Sequence, residues 1–248
     1  MRNILIFLCA IALVGCVSTG PKPLEKWETE KRAKAHIDLG LNYLRRGELE
    51  TAQEEMELAL SINPGSSRAS HGMGLISARN AEPQDALKWF ARAVRQDRTN
   101  FTAVNDYGIQ LCQTGQTDKG IKQLMPISEV RENNAVVATY LGLGICHHRQ
   151  QQLDLAQGYY RRALQGSPTL PQALLPMAEI SKAENKPLIA RAFLERYFAA
   201  GAISPKALLL AAQVEVQLND KERARLYARE LRAQFPKAPE VNQLKALL

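Results

Sequence analysis

The side chains with the most evident chemistry in this 248-residue chain are four cysteines and four histidines. Cys16 closes the run Leu13-Val14-Gly15-Cys16, behind an apolar stretch from Ile4 to Val14 and one positive residue, Arg2. A thiol is a strong nucleophile once deprotonated, and a small residue before it leaves room for a peptidase to cut. Cys112 and Cys146 stand far from it in mid-chain. His36 and His71 are isolated, and adjacent His147 and His148 point to different faces of any helix, so no metal site is expected. No Walker loop, Ser-His-Asp arrangement, nucleophile elbow or HExxH motif occurs. Gly142-x-Gly144 follows no strand pattern. The expectation is therefore no catalytic residues, no cofactor and no small-molecule substrate: a binding protein and not an enzyme.

Composition agrees with a folded, non-membrane body. The apolar share is 46% and the charged share 23%, which excludes a disordered or collagen-like chain. Net charge is +7, but the 32 Lys and Arg are spread evenly, which reads as a solvated basic surface. Aromatic residues are 6% and scattered, so no stacking platform for nucleic acid is expected. The apolar run at the start is too short to span a bilayer, which takes about 20 residues.

Arg2, the apolar run, Gly15 and Cys16 together resemble the lipobox of bacterial lipoproteins. That resemblance implies a signal peptide over residues 1–15, lipid on Cys16, and Cys16 as the mature N-terminus. An ordinary secretory signal with a chance cysteine is the alternative. Val17 after the cysteine, with no Asp there, points by the lipoprotein sorting rule to the outer membrane, lipid-anchored and facing the periplasm. Residues 16–32, with Gly20, Pro21, Pro23 and mixed charge, read as a flexible tether reaching roughly 20 Å.

From residue 33 onward the chain repeats. Leu39-Gly40-x-x-Tyr43, Gly47, Ala52, Met56, Ala59 and Pro64 return as Leu143-Gly144, Ala156, Tyr160, Ala163 and Pro168. Units start at Ala33, Ser67, Phe101, Val137, Pro171 and Pro205, with spacings of 34, 34, 36, 34 and 34 residues. This matches the tetratricopeptide repeat, a hairpin of two helices. The eighth position is small throughout: Gly40, Gly74, Gly108, Gly144, Ala178, Ala212. The twentieth is too: Ala52, Ala86, Gly120, Ala156, Ala190, Ala224. Small residues at both points let the paired helices approach closely. Gly47, Gly115, Asn185 and Asn219 stand where a hairpin turn requires positive φ. The expected fold is all-α: a right-handed superhelical solenoid of six such hairpins over residues 33–248, with a short C-terminal capping segment. The two extra residues of the third unit are expected near Glu132-Asn133-Asn134.

A solenoid of this kind presents a concave face lined by first helices. The expected partner-binding groove is Ile37, Leu41, Leu44, Leu75, Ile109, Leu141 and Ile145, fit for an apolar or amphipathic segment. The alternative is that the tether, or the residues around Trp27, folds back over it. Ile37 and Leu41 stand where a carboxylate-binding array carries polar residues, so that chemistry is not expected. Cys112 and Cys146 fall on neighbouring first helices. In an oxidising compartment they are expected to pair; two free core thiols are the alternative.

At Val104-Asn105-Asp106-Tyr107-Gly108, Leu111-Cys112-Gln113-Thr114-Gly115, Leu143-Gly144-Ile145-Cys146 and Gln172-Ala173-Leu174-Leu175-x-Met177-Ala178 the chain resembles the PilF/PilW family of type IV pilus pilotins. The resemblance covers nearly the whole mature chain, including the lipobox and the cysteine pair. It implies an outer-membrane lipoprotein, expected to be monomeric, that helps the pilus secretin reach the outer membrane or multimerise there. Asp106 in place of a second Asn, Gly120 in place of Ala and the absence of a turn glycine in 147–152 depart from the usual pattern. A different envelope scaffold lipoprotein, serving outer-membrane protein assembly or cell-wall synthesis, is the rival expectation.

Overall fold

The computed structural model describes residues 23–244 and residue 247. Helices α1 (Pro23–Arg46) to α12 (Lys221–Gln234) form six antiparallel hairpins, followed by the single turn α13 (Glu240–Gln243). The first helices are α1, α3 (Ser67–Arg79), α5 (Phe101–Gln113), α7 (Val136–Arg149), α9 (Pro171–Ala183) and α11 (Pro205–Gln217). Their hairpin partners are α2 (Leu49–Ile62), α4 (Pro83–Gln96), α6 (Thr117–Ile127), α8 (Leu153–Gly166), α10 (Pro187–Ala199) and α12. No strand occurs among the described residues. Each hairpin packs on the next, and adjacent first helices also touch, so the array is a solenoid.

Hairpin closure depends on the eighth position. A Cβ on Gly74 would fall on the Phe90 ring, one on Gly144 would lie 2.6 Å from Tyr160, and one on Gly108 would lie 2.5 Å from Leu124. The missing side chain is thus the seat of the large residue opposite. Phe90, Leu124 and Tyr160 are almost fully buried in those seats. The turns that follow α1, α5, α9 and α11 have positive φ at Gly47, Gly115, Asn185 and Asn219. Ala81 and Gln151 adopt the same conformation with an ordinary side chain, which costs roughly 1–2 kcal/mol each.

Three features were not anticipated. First, residues 23–32 are helical and continue into the first repeat, so the flexible tether expected over 16–32 is corrected there; 16–22 lie outside the described residues. Pro23 suits the first helical position, Glu25 sits in the first turn, and Glu28–Arg32 and Glu30–Lys34 have the spacing of favourable i,i+4 pairs. Second, Gly120 is explained by its neighbour: a Cβ there would clash with Cys112 Sγ and with the Gly108 carbonyl oxygen, the latter at 2.6 Å. Third, equivalent arginines staple successive repeats. Arg92 donates to the Pro64 carbonyl at 2.9 Å and Arg196 to the Pro168 carbonyl at 2.6 Å. Each also lies over an aromatic ring one turn earlier, Trp89 and Phe193.

The extra length of the third unit is the connection from Ser128 to Ala135. Buried Asn133 organises it, donating to the Ile127 carbonyl and Thr139 hydroxyl and accepting from the Ala135 amide. Between α10 and α11, Glu215 is 1% exposed and holds Arg191 through both carboxylate oxygens. The array ends asymmetrically. At the C-terminus Leu244 is buried among Leu208, Leu209, Ala228 and Leu231. At the other end, among the described residues, α1 has no preceding hairpin against it, and Leu39 is 41% exposed where Leu143 and Met177 are buried in later repeats.

Replacing Gly120 by Ala is expected to destabilise the chain by about 1–3 kcal/mol, the usual cost of overpacking a tight core. Urea unfolding measures it. A wild-type midpoint would contradict the close packing of Gly120 on Cys112.

Candidate functional site: the concave face

Aligning the first helices shows which positions are open. The fifth is a stacking position: Ile37, His71, Asn105 and Leu209 are all under 10% exposed. Ile37 and Leu44 are therefore corrected from groove to core. They share a cluster with Ala52, Met56, Ala69, Met73 and Ile76, in the wedge between the first hairpin and α3. Leu141, also at the fifth position, is half-buried against the core of repeats four and five. Trp27 is 58% exposed with Lys31 over its ring, so it does not cover an apolar surface.

The ninth position forms the floor. Leu41, Leu75, Ile109 and Ile145 are each partly exposed, and repeats five and six replace the aliphatic residue with Glu179 and Gln213. Ile109 packs beside Gly142, where a Cβ would come within 3.0 Å of it. A Cβ there would also lie 2.9 Å from Leu124, so the absent side chain makes room for α5 and α6 against α7.

The two edges of the floor differ in charge. Along the N-terminal ends of the first helices, the charged side chains have partners on the same edge. Asp38 receives Lys34 at 2.7 Å and Arg68 at 2.9 Å, Lys206 meets Glu179 at 2.6 Å, and His71 Nε2 lies 2.6 Å from Asp106. The hydrogen bond from Lys34, assisted by Arg68, holds the Asp38 carboxyl below the usual carboxylate range. Along the C-terminal ends stand Arg45, Arg79 and Arg149. Arg45 bonds the Asn42 amide oxygen and Arg79 the Leu44 carbonyl at 3.3 Å. None of the three has an ion-pair partner among the described residues. Sequence reading missed this edge because the arginines belong to no motif; their recurrence at the thirteenth position was the available signal.

Cys112 and Cys146 are joined in a disulfide, both fully buried, with Cα atoms 5.2 Å apart. It ties repeat three to repeat four across a sequence separation of 34, and closing a loop of that size removes about 3–4 kcal/mol of unfolded-chain freedom on the chain-entropy account. Among the described residues no group of three or more His, Cys, Asp or Glu is placed to hold a metal ion, and no helix is long and apolar enough to cross a membrane. Cys16 lies outside the described residues.

The tetratricopeptide-repeat family profile matches residues 37–101. The chain is 26% identical to the type IV pilus assembly protein PilF of Pseudomonas aeruginosa over 249 aligned residues, 99% of this chain and 98% of that one. It is 25% identical to cellulose synthase 1 operon protein C of Komagataeibacter xylinus over 220 residues, 82% of this chain but 16% of that much longer protein. The solved structure of Pseudomonas aeruginosa PilF superimposes with a TM-score of 0.78 at 24% identity, covering 88% of this chain and 99% of that chain. PilW, a widely conserved type IV pilus biogenesis factor, superimposes at 0.75 with 21% identity, covering 86% and 97%.

His148 lines the cleft with Ile145, Arg149, Tyr160, Glu179 and Lys206. Burial is the main cause that lowers its pKa below 6.5, with Lys206 and Arg149 adding to it and Glu179 opposing. The unfolded chain then takes the proton first. Stability contributed by neutral His148 is expected to be full above pH 6.5 and to fall as pH drops through the folded value. Urea midpoints across this range in wild type and His148→Gln check it: the variant should show the flatter profile, and parallel profiles would contradict the assignment.

Proposed function

We propose that this tetratricopeptide-repeat protein, similar along nearly its whole length to PilF, is a type IV pilus biogenesis factor. In this reading it is an outer-membrane lipoprotein that acts as pilotin for the pilus secretin. A secretin segment lies on the concave floor formed by Leu41, Leu75, Ile109 and Ile145. The observation that carries the reading is the match to PilF over 99% of this chain and 98% of that one, with an open aliphatic floor on the face such arrays use for partners.

The mechanism is mechanical. Lipid on Cys16 moors the chain to the periplasmic side of the outer membrane, each buried CH₂ contributing about 0.8 kcal/mol. Six residues lie between Cys16 and Pro23, after which the ten residues 23–32 form a helical rod of about 15 Å. The floor is thus held near the bilayer at a restricted distance. A bound secretin subunit is carried to the membrane, and its local concentration there rises. The chain works as a monomer, with no cofactor. A general envelope scaffold is the second reading, favoured by the match of 82% of this chain to a cellulose synthase operon protein.

A strain lacking the gene is expected to lose heat-resistant secretin multimers and surface pili, and the wild-type gene to restore both. Cys16→Ala is expected to move the protein out of the outer-membrane fraction and misplace the secretin. Unchanged fractionation would contradict the lipid anchor. Leu41→Asp should fail to restore multimers while keeping wild-type helicity by circular dichroism. Normal multimers in that folded variant would contradict the concave floor as the secretin site.

A further inference from the structure

The concave face is selective by charge as well as by apolarity. We propose that its occupant is an amphipathic helix with an aliphatic stripe and, beside it, an acidic stripe that pairs with Arg45, Arg79 and Arg149; this rests on the reading above that the concave face holds a partner segment. Two independent features coincide over repeats one to four and stop together. The aliphatic floor runs Leu41, Leu75, Ile109, Ile145 and then turns polar at Glu179 and Gln213. The arginine column runs Arg45, Arg79, Gln113, Arg149 and ends at Ala183 and Gln217, where the neighbouring Lys182 is engaged by the Gln213 amide oxygen at 2.8 Å. On the opposite edge the cations are engaged: Lys34 and Arg68 both reach Asp38, and Lys206 is held by Glu179. The cations without a carboxylate partner, Arg45, Arg79 and Arg149, therefore line one side of the floor.

Geometry favours a helix over an extended strand. Floor and arginine residues are four apart on each first helix, so a partner must present its apolar and acidic groups on adjacent flanks. A helix does this, whereas successive residues of a strand face opposite sides. First helices pack at about 8–10 Å, and seven residues of partner helix advance about 10.5 Å. One apolar and one acidic residue per heptad thus meets each repeat, and four repeats take a helix of about 21–28 residues. The positive ends match the carboxylates without a buried, unpaired charge, because all three arginines are exposed.

The test uses the lipid-free chain from Val17 onward and a fluorescent synthetic 28-residue helix bearing leucine and glutamate once per heptad. Binding is expected to weaken as salt is raised, and to fall at least about tenfold in the folded double variant Arg79→Glu/Arg149→Glu. A peptide with lysine for glutamate should bind that variant better than wild type. Equal binding of acidic and basic peptides to wild type, or an unchanged affinity in the double variant, would overturn the proposal. A periplasmic secretin fragment separates this from the pilus reading. If the fragment binds wild type and double variant alike, the charge proposal falls and the pilus reading stands. If the fragment does not bind while the acidic peptide does so in a charge-dependent way, the pilus reading falls and the charge proposal stands.

Discussion

The structure depends first on how closely two helices of a hairpin can approach. At the eighth position of each repeat a side chain is absent or reduced to a methyl, and the volume left is taken by a residue from the partner helix. Phe90 against Gly74, Leu124 against Gly108 and Tyr160 against Gly144 are three cases of one contact. Interiors are close-packed, so the small and the large residue are not separable choices. Once that contact fixes the hairpin, the ridge it presents to the next hairpin is fixed as well, and stacking follows. Repeats five and six use Ala178 and Ala212 at this place, opposite Leu194 and Ala228, and gain their closure in part elsewhere. The pair of partly exposed Arg191 with buried Glu215 fastens the joint between them. The desolvation cost of the buried carboxylate offsets part of the attraction, so such a pair contributes more to register than to stability.

The repeat architecture was legible because every column of it is a packing demand that recurs with a fixed period. Small residues at the eighth and twentieth positions and turn residues at Gly47, Gly115, Asn185 and Asn219 are local requirements, and a sequence displays local requirements directly. Gly120 illustrates the limit. As a departure from an alanine column it looked like a weakness. It is a consequence of Cys112, whose sulfur crowds the place of the missing methyl, eight residues away in sequence but on the facing helix. Residues 23–32 illustrate another limit: proline and mixed charge suit both a tether and a helix start, and what decides is that Pro23 stands at the first helical position with no breaker after it.

The aliphatic stripe along the first helices was legible in place but not in depth. Ile37, Leu41 and Leu44 form one stripe on α1, and spacing alone does not say how far that stripe turns toward α3. It turns far enough to bury its two ends and leave Leu41 partly open. In repeats one, two, three and six the fifth position is likewise spent on stacking, while Leu141 and Leu175 stay partly exposed, and the ninth position remains as floor. That narrowing moves discrimination to the edges. A floor of four half-buried aliphatic residues accepts any apolar stripe of the right pitch, and hydrophobic contact is not directional. Long-range charge is, and it acts on encounter before contact is made. With the cations of one edge held in ion pairs and the other carrying guanidinium groups at the C-terminal ends of helices, where the backbone dipole already favours positive charge, the face is polarised across its width. Polarisation of that kind fixes which side of an amphipathic partner faces which end of the first helices. The helical residues 23–32 that precede the first repeat continue the same first helix, so the polarised face has one defined end.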